Sequence, residues 1–413
     1  MSSDWLSWVS FWGFLGSQVA STGSGGRDVT PDVLRGFALW GIIVVNVAYF
    51  ATSVDSGVTS EALASAGDSV AAFLVFTLAQ GKFYLIFSFL FGYSAHYVLG
   101  RASGGRRRWL LRGIGLVILG IVHATLLFIG DILFLYGLLG LLLLAFYGRT
   151  QKVLLRWAWG IYGLFTAAAL AIVALTIWVE AQGGSAELES SQASLAYEST
   201  VFSTNYLASI PARFDFWISE GIFLVLFQSA LTLVAFLAGV LAARWGALNS
   251  DGLSTRQLRT MLVWGLGGGL VVQGAFASVW LGNALSPQPS AAIDLAAFFG
   301  GFLTAPLLSV GYVGLVVTMV RARPRALGWL GKMGRMSLTV YLSQSILLSV
   351  IFGGWGLGLY QQLPYWGAVV VSLAIALVLS ALAPLWLRIF GRGPMESLLT
   401  AWSRLGIAKS PSS

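Results

Sequence analysis

The chain has 413 residues, 57% of them hydrophobic and 10% charged, with a mean hydropathy of +0.82 and a net charge of +8. A soluble domain carries about 25% charged residues, so this composition excludes a water-soluble globule and describes a polytopic membrane protein. With no cysteine and two histidines the chain has no disulfide, thiol nucleophile or multi-histidine metal centre, and its basic residues read as membrane-protein loops rather than a nucleic-acid surface.

The first 26 residues include SDWLSWVSFWGFLG, which places Trp5, Trp8, Phe11, Trp12 and Leu15 near one helical face. The stretch is too short to span and lacks the basic start of a signal peptide, so it predicts an amphipathic helix in the inner interface. STGSGG at 21–26 follows as a flexible linker. The string RDVTPDVLRG, 27–36, opens the first span. Thr30 suits the helix cap, Pro31 the first helical position and Asp32 the positive helix end, and Asp32 pairs with Arg35 at a spacing of three. An arginine at the cytoplasmic mouth of a cavity also suits a phosphate group.

A transmembrane helix needs roughly 20 mostly apolar residues. Ten stretches qualify, at about 35–53, 82–100, 113–130, 132–148, 157–179, 221–242, 261–283, 295–320, 337–354 and 366–387. The expected fold is an all-α transmembrane bundle over 27–392, with 393–413 as a cytoplasmic tail. If the first span starts in the cytoplasm, the cytoplasmic loops hold 22 of the 24 Lys and Arg, and the external set only Lys82 and Arg213. That external set also holds 11 of the 16 acids, including Asp55, Asp68, Glu187 and Glu189. Such a split predicts both termini inside. The external segment from about 180 to 220 is long enough to cap a cavity, and an inert loop fits it equally well. No internal repeat is visible.

Ionisable groups inside spans are expensive and mark candidate sites. Arg35 to Asn46 and Arg112 to His123 are eleven residues each, and Arg335 to Gln344 is nine. At about 1.5 Å per residue, Asn46, His123 and Gln344 stand about 13–17 Å from the inner surface, near the midplane. Interhelical polar contacts, worth about 1 kcal/mol each, explain Asn46 or Gln344 as well as function does. A midplane histidine points further, because neutral imidazole serves as a general base. His96, five residues before Arg101, lies near the inner interface as a candidate donor contact. Lys82 and Asp131 each lie nineteen residues from an inner arginine, about 28 Å away and therefore at the outer edge, with Glu220. A salt bridge or an external substrate site fits that layer. Asp131 also follows His123 by eight residues, on one face if the helix continues that far.

RDVTPDVLRGFALWGIIVVN (27–46), GKFYLIFSFLFG (81–92), HATLLFIGDILFLYG (123–137) and GRMSLTVYLSQSILLSVIF (334–352) together resemble the YeiB-like family of bacterial membrane proteins. Where the usual pattern begins Leu-Asp-x-Leu-Arg-Gly, this chain has Pro31-Asp32-Val33-Leu34-Arg35-Gly36. The family is similar, distantly, to acyltransferase-3 proteins and to heparan-α-glucosaminide N-acetyltransferase, through Asp32, Leu34, Arg35, Gly36 and the deep Asn46. The resemblance implies transfer of an acyl group from cytoplasmic acyl-CoA, most simply acetyl-CoA, to an envelope glycan, lipid or small-molecule acceptor across the inner membrane. In that scheme His123, Asn46 and Gln344 carry the chemistry. Arg35, Asp32, His96 and Arg335 hold the donor, and Lys82, Asp131, Glu220 and Tyr341 the acceptor, with no metal and no nucleic acid. The bilayer is the constant partner, and a homo-oligomer is compatible with the sequence. A transporter or flippase with a midplane polar site is the alternative, and a scaffold subunit held by polar glue the third reading.

Overall fold

The computed structural model describes residues 29–53, 62–100, 104–184 and 192–405. The expected interfacial helix and linker at 1–26, together with Asp55, Arg101, Glu187, Glu189 and the last eight residues, lie outside them. Among the described residues the fold is all-helical. In chain order the helices are α1 (Thr30–Asn46), α2 (Ala66–Leu78), α3 (Phe83–Leu99), α4 (Gly105–Leu126), α5 (Leu133–Phe146), α6 (Gln151–Ala181), α7 (Gln192–Val201) and α8 (Tyr206–Phe216). Then come α9 (Ile222–Arg244), α10 (Thr255–Ala284, with a π-helical stretch at Met261–Gly268), α11 (Ala291–Ala322), α12 (Gly328–Arg335), α13 (Ser337–Phe352), α14 (Tyr365–Phe390) and α15 (Pro394–Ser403).

Among the described residues eight helical runs are long and apolar enough to cross a membrane, and the bent pair α12–α13, with 83° between its parts, brings the number to nine. The shorter apolar α5 makes the arrangement compatible with the ten expected spans. The second span differs most from expectation. It starts at Ala66 rather than 82 and runs 34 residues as α2 and α3, with a break at Ala79–Lys82 where Gly81 takes φ +81°. Lys82 therefore sits mid-span, fully buried, and not at the outer edge. Within 180–220 the described residues include α7 and α8, and Pro394–Ser403 of the expected tail forms α15.

Glycine sets the closest approaches. A Cβ on Gly92 of α3 would meet the carbonyl of Phe236 on α9, and one on Gly239 would meet that of Phe89. Backbone contact of this kind is how membrane helices associate when lipid offers no hydrophobic drive. The Phe91 and Phe236 rings stack at 4.8 Å across the same seam. A Cβ on Gly36 would strike the carbonyl of Leu330, and one on Gly334 that of Asp32, so α1 and α12 also touch backbone to backbone.

The few charges serve the helix ends, whose orphan N–H and C=O groups find no water in a bilayer. Carboxylates take N-termini of neighbouring helices. Asp68 accepts from Trp366 N at 3.1 Å, Glu180 from Ala292 N at 3.1 Å, and Glu396 from Leu338 N at 2.7 Å and Thr339 N at 3.2 Å. Cations take the carbonyls where helices stop. Arg213 donates to Leu126 O at 2.7 Å, Arg244 to Arg149 O at 2.9 Å, and Lys82 to Phe76 O at 2.6 Å. Both choices agree with the helix dipole.

A leucine at Gly92 has no room to form, and overpacking against backbone costs about 1–3 kcal/mol or more. Thermal unfolding of the detergent-purified protein should show Gly92→Ala lowering Tm, and Gly92→Leu yielding no monodisperse folded protein.

Candidate functional site

The α4–α5 hairpin builds the centre of the site. Its helices meet through small residues, since a Cβ on Gly120 would collide with the backbone of Phe134 and one on Gly137 would crowd Val117. Trp109 Nε1 fixes the pair lower down by donating to Gly140 O at 2.6 Å. Helix α4 stops at Leu126, and the chain reverses over 127–132. On one straight helix, eight residues would separate His123 from Asp131 by about 12 Å. The reversal instead brings Asp131 Oδ1 to 2.7 Å from His123 Nδ1, and Asp131 Oδ2 accepts from Phe134 N at 2.7 Å at the start of α5. Both side chains are almost wholly buried.

An ionised carboxylate only accepts hydrogen bonds, so the shared proton belongs on Nδ1. Nε2 is left with its lone pair when the ring is neutral. That atom is buried and has no hydrogen-bond partner. Beside it lies Tyr341 of α13, its ring centroid 5.1 Å from the imidazole. The edge of Phe128 closes another side at 6.1 Å.

A cavity of about 210 Å³ has Tyr341, the ring neighbour of His123, in its wall; His123 and Asp131 themselves do not line it. Tyr136, Ile132 and Tyr341 line it near the dyad, and Leu39, Phe87, Phe91 and Leu116 form apolar walls. Arg35, Arg112 and Arg335, with Asp32 and Glu396, line the rest. The Gly36–Leu330 and Gly334–Asp32 contacts set the first turn of α1 against the end of α12, which brings Arg35 and Arg335 to one cavity. Arg35 Nη1 holds Asp32 Oδ1 at 2.9 Å, as the spacing of three predicts. Arg112 lies over the Phe91 ring at 5.6 Å. Helix α15 supplies Glu396 and Leu399 to the wall, and Trp402 Nε1 anchors it by donating to Leu111 O at 2.8 Å.

At the other end of the hairpin, α8 packs on the end of α4. Arg213, almost fully buried, donates to Leu126 O at 2.7 Å, and Tyr206 Oη donates to the same oxygen at 2.7 Å. Ser53 Oγ donates to Glu198 Oε1 at 2.6 Å and ties α7 to the end of the first span. Outside the membrane helices, Tyr197 on α7 has its phenol pushed up to about 12 by burial.

The expected residues divide accordingly. Tyr341, Asp32, Arg35 and Arg335 line one cavity, and His123 lies behind its wall, against the Tyr341 ring. Asp131 joins them as the partner of His123, not as a rim residue paired with Lys82; the Lys82 amine is held by Phe76 O and lies over the Phe76 ring. Glu220 is half-buried in a π-helical turn at Trp217–Gly221. His96 is absent from the lining and packs against the rings of Tyr97 and Tyr147. Gln344 Nε2 donates to Leu39 O at 3.1 Å. Leu39 precedes Asn46 by seven residues, so Gln344 and the half-buried Asn46 stand about 10 Å apart in depth rather than at one level. Arg112 and Glu396 were not among the expected site residues. The Pro-x-Glu start of α15, a helix-opening pattern, was the available signal for Glu396.

The family described as "Protein of unknown function (DUF418)" matches residues 242–405. YxaH of Bacillus subtilis (strain 168), described as uncharacterized, is 30% identical over 393 residues, 89% of this chain and 92% of that protein. YeiB of Escherichia coli (strain K12), described in the same way, is 28% identical over 92% of this chain and 96% of its own length. An uncharacterized 39.9 kDa protein encoded 3′ of an amylase gene in Bacillus acidopullulyticus is 26% identical over 90% of this chain and 92% of its own length. No solved structure matches. With similarity along nearly its whole length and the helical bundle its motifs anticipate, the chain belongs to the YeiB-like family.

Proposed function

We propose that the chain is an integral-membrane acyltransferase that takes an acyl group from cytoplasmic acyl-CoA and passes it to a hydroxyl or amine of an envelope glycan, lipid or small molecule. The observation that carries this reading is the buried His123–Asp131 pair, its Nε2 unpartnered and its imidazole 5.1 Å from the ring of Tyr341, which lines a cavity together with three arginines. Asp131 fixes the tautomer and the ring and stabilises the imidazolium that forms when Nε2 accepts the acceptor's proton. Arg35, Arg112 and Arg335 outnumber Asp32 and Glu396 on the lining, which suits the phosphates of the donor. Both carboxylates already hold bonds within the fold, Asp32 to Arg35 and Glu396 to the start of α13. The apolar middle of the cavity fits the thioester end of the donor, and its exclusion of water strengthens the charges at work there. A far-side acceptor would reach the dyad by displacing α8 from Leu126 O.

On the positive-inside rule we assign the arginine-bearing end to the cytoplasm and the α7–α8 end to the outside of a bacterial inner membrane. The chain has no cysteine, so single-cysteine variants report topology without background. Cysteine in place of the exposed Gln288 should react with an impermeant maleimide in intact cells, and cysteine in place of the exposed Arg323 only after lysis. The opposite pattern would reverse the assignment.

Calorimetric titration of the purified protein with acetyl-CoA should give saturable binding that Arg35→Ala weakens at least tenfold. Absence of binding to any acyl-CoA or to CoA, with proton-coupled solute flux in vesicles, would overturn the acyltransferase in favour of a transporter. His123→Ala should abolish transfer in a folded protein. Asp131→Asn should cost about 10²–10⁴-fold, and the double variant no more than His123→Ala alone, because the two act as a unit.

A further inference from the structure

Two buried polar atoms beside the cavity stand without partners, Nε2 of His123 and the hydroxyl of Tyr341. Other buried polar atoms among the described residues also lack partners, but these two lie on rings 5.1 Å apart, and that proximity calls for a common explanation. If Nε2 moves the proton, one requirement of acyl transfer remains, a donor for the negative charge that grows on the carbonyl oxygen. Gln344, expected among the residues that carry the chemistry, is ill-suited to that part. It is absent from the cavity lining, and one N–H of its amide is committed to Leu39 O, which fixes the group against α1.

Tyr341 meets the requirement on three counts. It lines the cavity, so its ring borders the space a substrate enters. Its hydroxyl has no partner in full hydrogen-bond geometry, and the nearby Ile132 backbone N–H can engage only the oxygen's lone pair, which leaves the O–H available. It also stands on a fixed element, because Glu396 clamps the first turn of α13 through Leu338 N, Thr339 N and Thr339 Oγ1. A donor held in place before reaction needs no reorganisation as charge develops.

We propose that Tyr341 is the oxyanion donor of the site, its phenolic O–H directed to the carbonyl oxygen of the bound thioester while His123 Nε2 handles the proton. This rests on the acyltransferase reading. The acceptor oxygen or nitrogen bonds to the carbonyl carbon as its proton passes to Nε2. The carbonyl π pair moves onto oxygen and is held by Tyr341, which keeps its own proton. The pair then returns, the C–S bond breaks, and the leaving thiolate takes the proton from Nε2. Nothing is oxidised or reduced. Gln344 becomes a packing residue that joins α13 to α1.

The test uses the full chain in nanodiscs, acetyl-CoA as donor and a membrane extract as acceptor. The cysteine-free protein lets a thiol reagent read released CoA directly. Tyr341→Phe should lower kcat by about 10²–10³-fold, leave KM for acetyl-CoA within about twofold, and leave unmoved the acidic limb of the pH–rate profile, which reports His123. A fluorinated tyrosine at 341, which strengthens the donor without changing packing, should change kcat in step with its acidity. Tyr341→Phe at full kcat overturns the role, and so does a loss confined to KM. If Tyr341→Phe fails to fold, a rate insensitive to fluorination overturns it instead. A wild-type protein that neither binds nor turns over acetyl-CoA or longer acyl-CoAs overturns the acyltransferase reading itself, a result distinct from active wild type with an indifferent Tyr341.

Discussion

A bilayer offers no water to the ends of a helix, and that constraint governs this structure. Every break in a span exposes N–H or C=O groups whose burial unpaired costs as much as several ordinary contacts. The chain answers with its scarce ionisable residues. Asp68, Glu180, Glu396 and Asp131 each take the start of a helix, and Lys82, Arg213 and Arg244 each take carbonyls where one stops. Most of these bonds join segments distant in sequence, so they also fix which helices are neighbours. A charge that looks functional because it lies at membrane depth is often, as with Lys82, the partner of a broken helix.

Asp131 shows how one such residue serves two purposes. One oxygen caps α5, as the fold requires, and the other holds Nδ1 of His123. The imidazole is therefore oriented by a group that cannot be moved without opening the hairpin. The same economy holds at the arginine end, where Glu396 caps α13 and lines the cavity. Rigid elements hold reactive groups more closely than loops do, and here the rigidity comes from backbone contact at Gly36, Gly120, Gly137 and Gly334.

The helical bundle was legible because apolar runs of span length leave little alternative, and the hairpin was legible in Gly130-Asp131. The Asp32–Arg35 pair followed from helical spacing alone. Depth was less legible. The rise per residue places a group only if the span's ends are known, and the second span starts at Ala66, before a break at Gly81 that no apolar count reveals. Lys82 was misplaced for that reason. Asp131 was misplaced because its side chain reaches back along the hairpin, a direction that a one-dimensional count does not contain. Gln344 and Asn46 shared a level by counting, yet the kink between α12 and α13 and the donation to Leu39 O shift Gln344 by about two turns.

The cavity draws its lining from Asp32 near the start of the described chain and from Leu399 near its end. A chain being inserted by the translocon therefore owns no such chamber until the segment that carries Glu396 and Leu399 has been made. Helix α15 joins the wall after α1, α4, α12 and α13 have been made, so the arginines of the site come together only when the helix that carries Glu396 is there to meet them. Order of synthesis thus becomes part of how the cavity is built.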